Sequence, residues 1–420
     1  MLRKKDSMKR LFPLLMLLSG VATMSAEDWP RWRGPMDSGS AAGGEYPDKP
    51  LEAILWKIPL PGKGCSTPIV WQRQIFLTAP IEGQDAVLAY DWAGKKLWQL
   101  PIGAEIAGKH RNGSGGNASP TTDGKFIFVS FKSGVLAALT LEGKLLWKTN
   151  LQERFGRDTL YWDAGTSPVI TRAHVVMTVM HEGDSFLAAF DKQTGEMAWK
   201  TARKYKTPPE NDHGYTTPIV VTREGREEIV TWGAEHLTAH NAADGKQLWE
   251  SGGFNPEGKR NWVAVASAII VDGMAVVPHG RGTLLAGVKL GGTGDVTEKN
   301  RVWTRTDTGS FVPTPAAAEG RVYLVRDRGE VVCLDARTGK TVWEGRFPEN
   351  RNSYYSSPSI AGGKIYSARE DGVLFVARCR DKFEFVSEND MGERIVASPV
   401  PIQSRLLLRG EKHLFCAGRQ

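Results

Sequence analysis

Cysteine is scarce in this chain: Cys65, Cys333, Cys379 and Cys416 are the only four in 420 residues. They form neither a Cys-x-x-Cys pair nor a haem-attachment Cys-x-x-Cys-His run, which removes the redox-pair and c-type haem readings. All four are read as free thiols acting as small apolar residues in strands. A strong charge of one sign is also missing. The formal net charge is +7, but residues 1–26 carry five Lys/Arg against one Asp, so the rest is nearly balanced and nucleic acid is not expected as a partner. No Gly-x-Ser-x-Gly elbow, His-Glu-x-x-His pair or phosphate loop occurs. Gly113-Ser114-Gly115-Gly116 is glycine-rich, but no helix is expected after it. Long apolar runs are absent too: Leu11–Val21 is too short to span a bilayer comfortably. Preceded by Arg3, Lys4, Lys5, Lys9 and Arg10 and followed by small residues up to Ala26, it reads as a secretory signal. The expected location is periplasmic or secreted, with no transmembrane span after cleavage; no Cys stands at the cleavage point to carry a lipid.

What the chain does have is a repeat. The full form reads Ala-x-Asp-x-x-Thr-Gly-x-x-x-Trp, as in Ala189, Asp191, Thr194, Gly195 and Trp199. The Gly-to-Trp spacing recurs at Gly94/Trp98, Gly143/Trp147, Gly245/Trp249 and Gly339/Trp343. Trp56 and Trp303 keep the rhythm without that glycine, and Phe385 takes the last slot. Each repeat opens on a Ser/Thr-Pro-like pair: Thr67-Pro68, Ser119-Pro120, Ser167-Pro168, Thr217-Pro218, Ser267-Ala268, Thr314-Pro315, Ser357-Pro358 and Ser398-Pro399. Alternating strands and Gly/Asp turns follow, which is hairpin patterning. A strand-rich period of about 40–50 residues predicts an all-β, eight-bladed β-propeller of four-stranded antiparallel blades. The last opening is followed by only two clear strands, so the strand around Ile54–Ile58 is expected to close the final blade and remove a free edge. The layout is therefore signal 1–26, strap and linker 27–50, and propeller 51–420. Seven blades is the alternative, should the blade at Ser267 collapse around its insertion Gly291–Thr297. Trp56, Trp98, Trp147, Trp199, Trp249, Trp303 and Trp343 are expected to pack between neighbouring blades, each indole offering a flat apolar face and one N–H donor.

Chemistry on a propeller gathers where the inter-blade loops and the central turns share one face. Here those segments carry His110, Asn112, Trp162, Asp163, His213, Tyr215, Arg260, Trp262, His279, Arg281, Arg326, Arg351, Tyr354 and Arg369. Arginine forks suit carboxylates and the aromatics suit ring stacking, so an anionic or sugar-like ligand fits, although loops at a channel mouth are polar in any case. His110, His213, His279, Asp163 and Asp212 are zinc-type ligands, but they lie in different repeats without diagnostic spacing, and no metal is expected. Trp29-Pro30-Arg31-Trp32-Arg33-Gly34-Pro35 reads as a strap lying on the propeller, with docking of a partner as the other reading.

The eleven-residue repeat resembles that of the PQQ-like (quinoprotein-type) propellers over residues 51–420. Within them it is similar to the BamB-like branch, and to exported homologues of planctomycete type that open on Trp-Pro-x-Trp-Arg-Gly-Pro, here Trp29–Pro35, and carry Gly294-Asp295-Val296-Thr297. The resemblance implies an exported, non-catalytic scaffold that binds an envelope protein, a small molecule or a glycan, and a monomer. Its other branch implies the first alternative, an oxidoreductase holding PQQ and calcium. That branch needs a vicinal cysteine pair or similar cover and a set of Glu, Asn and Asp calcium ligands, and neither is matched here, so no cofactor is expected. A carbohydrate-binding or carbohydrate-active protein is the second alternative.

Overall fold

The computed structural model describes residues 28–41 and 43–419; the segment read as a signal lies outside the described residues. Eight antiparallel sheets stand in a ring, in chain order. Blade 1 is Ile69–Trp71, Gln74–Ile81, Gln84–Tyr90 and Lys96–Ala104. Blades 2 to 7 repeat this inner-to-outer order, and Gly294–Asp295 adds a short parallel fifth strand outside blade 4. The blade at Ser267 is complete, which rules out the seven-bladed alternative. Blade 8 takes three strands from the C-terminal end, Val400–Ile402, Arg405–Arg409 and His413–Gly418. Its fourth is Ile54–Pro59, paired antiparallel to His413–Gly418. All four cysteines are unbridged.

The repeat motif has a local explanation at each position. Asp191 Oδ1 accepts the amides of Gln193 and Thr194 at 2.9 and 2.8 Å, which sets the turn before the outer strand. A bulge follows, at the same place in blades 1 to 6, and sets the tryptophan opposite a small residue. These partners are Ala89, Ala138, Ala189, Ala239, Gly287 and Cys333. A Cβ on Gly287 would stand 2.3 Å from the Trp303 ring, so the small residue makes room for the indole. The indole then lies over the turn glycine of the next blade: Trp56 over Gly94, Trp98 over Gly143, Trp147 over Gly195, Trp199 over Gly245 and Trp303 over Gly339. Its Nε1 donates to a carbonyl of that turn, from Trp98 to Leu141 and from Trp147 to Lys192 at 3.0 Å each. Trp56, Trp199, Trp303 and Trp343 do the same to Trp92, Ala242, Ala336 and Arg380. Trp249 differs: it is fully buried and its Nε1 has no partner.

At the hub, the opening Ser/Thr residues form a belt. From Thr67 to Thr314 the amide of each donates to the hydroxyl of the next blade's residue: Thr67 to Ser119, Ser119 to Ser167, Ser167 to Thr217, Thr217 to Ser267, Ser267 to Thr314 and Thr314 to Ser357. Ser398 donates to Thr67 across the closure at 3.1 Å. Ser398 Oγ itself accepts the Trp32 indole N–H at 3.3 Å, so the strap enters the belt at blade 8.

The strap lies against the innermost strands. Trp29 exchanges two 2.8 Å backbone bonds with Val70, and the Pro30 carbonyl accepts from Thr122. On the other side Ser38 accepts from Ala317, and Gly39 and Ala41 bond Ile360. Blades 1 and 2 are thereby tied to blades 6 and 7. Two glycines are required in it. Gly34, at φ 79°, lies under the Trp29 ring, and a Cβ on Gly39 would fall 1.8 Å from the Arg33 guanidinium.

Candidate functional site

A cavity of about 460 Å³ opens on the face carrying the inter-blade loops, with Trp32 among its lining residues. Deeper walls are apolar, from Val263, Val265, Val312 and Val396, and the rim is aromatic. Tyr161 and Trp162 are 61% and 45% exposed there and meet edge to face at 4.8 Å. His110 packs edge-on against Trp162 at 5.2 Å, and burial with Arg111 nearby lowers its pKa. The Trp162 amide donates to the Tyr215 hydroxyl oxygen at 3.0 Å, which holds that loop in place. Opposite, the Arg281 guanidinium stacks on Phe311 at 4.3 Å.

Two buried carboxylates organise the rim. Asp163 accepts Lys132 Nζ at 2.6 Å and the amides of Lys109 and His110. Burial would raise its pKa, but these bonds outweigh it and hold the carboxyl below the usual range. Glu370 is treated alike: burial raises it, and Asn112, the Ser353 amide, Arg111 and Arg394 bring it below the usual value. Arg111 and Arg394 lie 3.1 and 3.2 Å from it. Both carboxylates are therefore spent on internal cations. Calcium takes six to eight oxygen ligands, and the carboxylates left on the cavity wall are Glu210 and Asp327. Burial raises the Asp327 carboxyl, which disfavours the charged form a cation needs. This donor set does not fit a calcium site. Among the described residues no three His, Cys, Asp or Glu side chains gather as metal ligands.

Of the residues singled out from sequence, His110, Asn112, Trp162, Asp163, His213, Tyr215, Arg281 and Tyr354 line this one cavity. Six do not. Arg260 and Arg351 are exposed outside it. Trp262 and His279 turn into the wall between blades 4 and 5, packed edge to face at 5.2 Å. Arg326 reaches the Gly282 carbonyl at 3.3 Å, and buried Arg369 pairs with Asp371 at 2.9 Å. Trp32 and Arg394 were missed as site residues. Trp32 sits far from the loops in sequence, and nothing in a single repeat says that the amino-terminal strap runs beneath the mouth.

Comparison with known proteins agrees with this architecture. A family model described as outer membrane protein assembly factor BamB matches residues 48–183, 83–345 and 294–381. The chain is 21% identical to the outer membrane protein assembly factor BamB of Yersinia pestis over 324 residues, 74% of this chain and 75% of that one. A 94-residue stretch, 22% of this chain and 23% of the other, is 30% identical to the same factor from Marinobacter adhaerens. Among solved structures, BamB from Moraxella catarrhalis superposes with a TM-score of 0.63 at 16% identity, covering 87% of this chain and 99% of that one. A europium-containing methanol dehydrogenase reaches 0.70 at 12% identity, covering 94% and 90%. At such identities these two structures show a shared fold alone. With a family model spanning most of the repeats, the chain belongs to the family of outer membrane protein assembly factor BamB, a PQQ-like repeat propeller.

Proposed function

We propose that this is an exported, non-catalytic scaffold of the cell envelope that binds a protein partner through the aromatic rim of its mouth. The observation that carries the reading is the division of labour at the rim. Asp163 and Glu370 are consumed in fixing the loops, whereas Tyr161 and Trp162 stand outward on those loops with large exposed faces. Rigid aromatic anchors with little entropy to lose are what interface hot spots use. Family membership supports the envelope setting. The test is a photo-crosslinking amino acid placed at Tyr161, with Val342 on an outer strand as the control position. A discrete envelope-protein adduct from Tyr161 and none from Val342 is expected. Equal labelling, or none from the rim, removes the reading.

An oxidoreductase of quinoprotein type is the second reading, favoured by the aromatic Trp32 lining the cavity from beneath. Titration of the purified protein with PQQ and calcium separates the two. An absorbance change with a thermal shift supports the second, and neither is expected for a scaffold.

A further inference from the structure

One side of the mouth carries arginines that the chain itself does not neutralise. Arg260, Arg281, Arg328 and Arg351 are exposed and Arg326 is half-buried. Where they are tethered, a backbone carbonyl holds them. Arg281 Nη1 donates to the Asn261 carbonyl, next to Arg260, at 3.3 Å. Arg326 Nη2 donates to the Gly282 carbonyl, next to Arg281, at 3.3 Å. Arg328 Nη1 donates to the carbonyl of Arg351 at 2.8 Å. Each link ends on or beside another arginine, so the five form one arc over blades 5 and 6.

Among the described residues none of the five is ion-paired. The acids of the same loops are spent on other cations: Glu257 on Lys259, Asp307 on Arg305 and Glu349 on Arg346. Glu210 and Asp327 remain, on the cavity wall. Burial keeps Asp327 toward its neutral form, and it accepts the Val312 amide at 3.4 Å. Like charges gathered in this way repel one another and set up a positive potential over that side of the mouth. The turn at Arg281 adds a second sign. Its φ is 54°, between Gly280 at 64° and Gly282 at 85°. A glycine adopts that backbone freely and a larger residue at a cost, so what the position retains is the side chain. Inside the arc, Val263, Val265 and Val312 turn into the cavity.

We propose that the mouth takes an acidic peptide segment of its partner, with clustered Asp or Glu carboxylates on the arginine arc and an adjacent apolar side chain in the cavity. This rests on the protein-binding reading of the mouth and names the chemistry of what enters it. Guanidinium forks bind carboxylates in pairs of parallel hydrogen bonds. Complementary charge fixes which partner docks and in which orientation, while the apolar wall holds the anchor.

The test is a display selection of random peptides on the whole chain, immobilised. Enriched sequences should carry several Asp or Glu beside an aromatic or aliphatic residue, and their binding should weaken as salt rises. Arg281→Gln, Arg328→Gln and Arg351→Gln combined should weaken these peptides about tenfold and leave the thermal midpoint in place, since all three side chains are exposed. Arg281→Gly suits the left-handed turn and should cost about threefold; it decides the matter if the triple variant fails to fold. Peptides without an acidic excess, no enrichment at all, or unchanged affinity in the variants overturn the proposal. So does equal competition by dextran sulfate, which marks a patch for polyanions in general. None of these results would abolish an adduct from Tyr161, so the two readings fall to different measurements.

Discussion

The junction between blades 3 and 4 and the junction between blades 4 and 5 begin from the same motif and solve it differently. At the first, Trp199 lies half-buried over Gly245 and donates to the Ala242 carbonyl at 3.2 Å. At the second, blade 5 has no Asp-x-x-Thr-Gly turn to offer Trp249. The inserted segment takes its place: Gly294–Asp295 pairs parallel with Trp249–Glu250, and Val296 closes over the indole with Leu290 and Phe254. The Val296 amide reaches Glu250 and the Gly252 amide reaches Thr297 Oγ1, both at 2.8 Å. One indole is held by a hydrogen bond at the surface, the other by apolar cover. A repeat can therefore keep its tryptophan and exchange the reason for keeping it.

The difference can be broken from either side. Trp249→Ala should be the costlier change, about 3–5 kcal/mol, because a fully buried ring leaves a cavity; chemical denaturation of both variants checks it. Trp199→Ala should cost less, about 2 kcal/mol, since the ring already meets water. Acid should act on the second junction next. His279 is buried there between Trp232 and Trp262, and burial pushes its pKa down to about 4 from 6.5. The unfolded chain then takes up the proton first, so this contribution is complete above pH 6.5 and is lost as the pH falls toward 4. The loss amounts to about 3 kcal/mol by pH 4. His279→Leu should flatten that part of the midpoint-against-pH curve relative to the parent protein. Smallest is Trp199→Phe, which keeps the ring and gives up one hydrogen bond, about 1 kcal/mol. The matching Trp249→Phe has no bond to lose, so a drop confined to Trp199 would sharpen the contrast.

Much of the fold was legible in the sequence because every motif position answers a local demand. Ala189 is small because an indole sits opposite, Asp191 caps a turn, and Gly245 has φ 72° beneath the previous blade's ring. The closure by Ile54–Pro59 followed from counting strands. The candidate site was legible in part. Loop position picks out residues near the mouth, but not whether a side chain turns inward. Trp262 and His279 found more apolar contact in the blade wall, and Arg369 found Asp371 and the Phe375 ring. Trp32 comes from the strap, which carries no repeat signal, whereas Arg394 stands in the inter-blade loop before Ser398-Pro399 and is placed by its contact with Glu370.

The sequence by itself determined the number of blades, the turn chemistry and the strand that closes the ring, since these depend on contacts within a repeat or between adjacent ones. Only the tertiary structure decided that Trp32 lies under the mouth, that Arg33 reaches the carbonyls of Pro315 and Pro358, and that Ser398 meets Thr67 across the closure of the belt. Those relations join residues hundreds of positions apart. They exist only once the sheets have come round in a circle, where the geometry of closure chooses the partners.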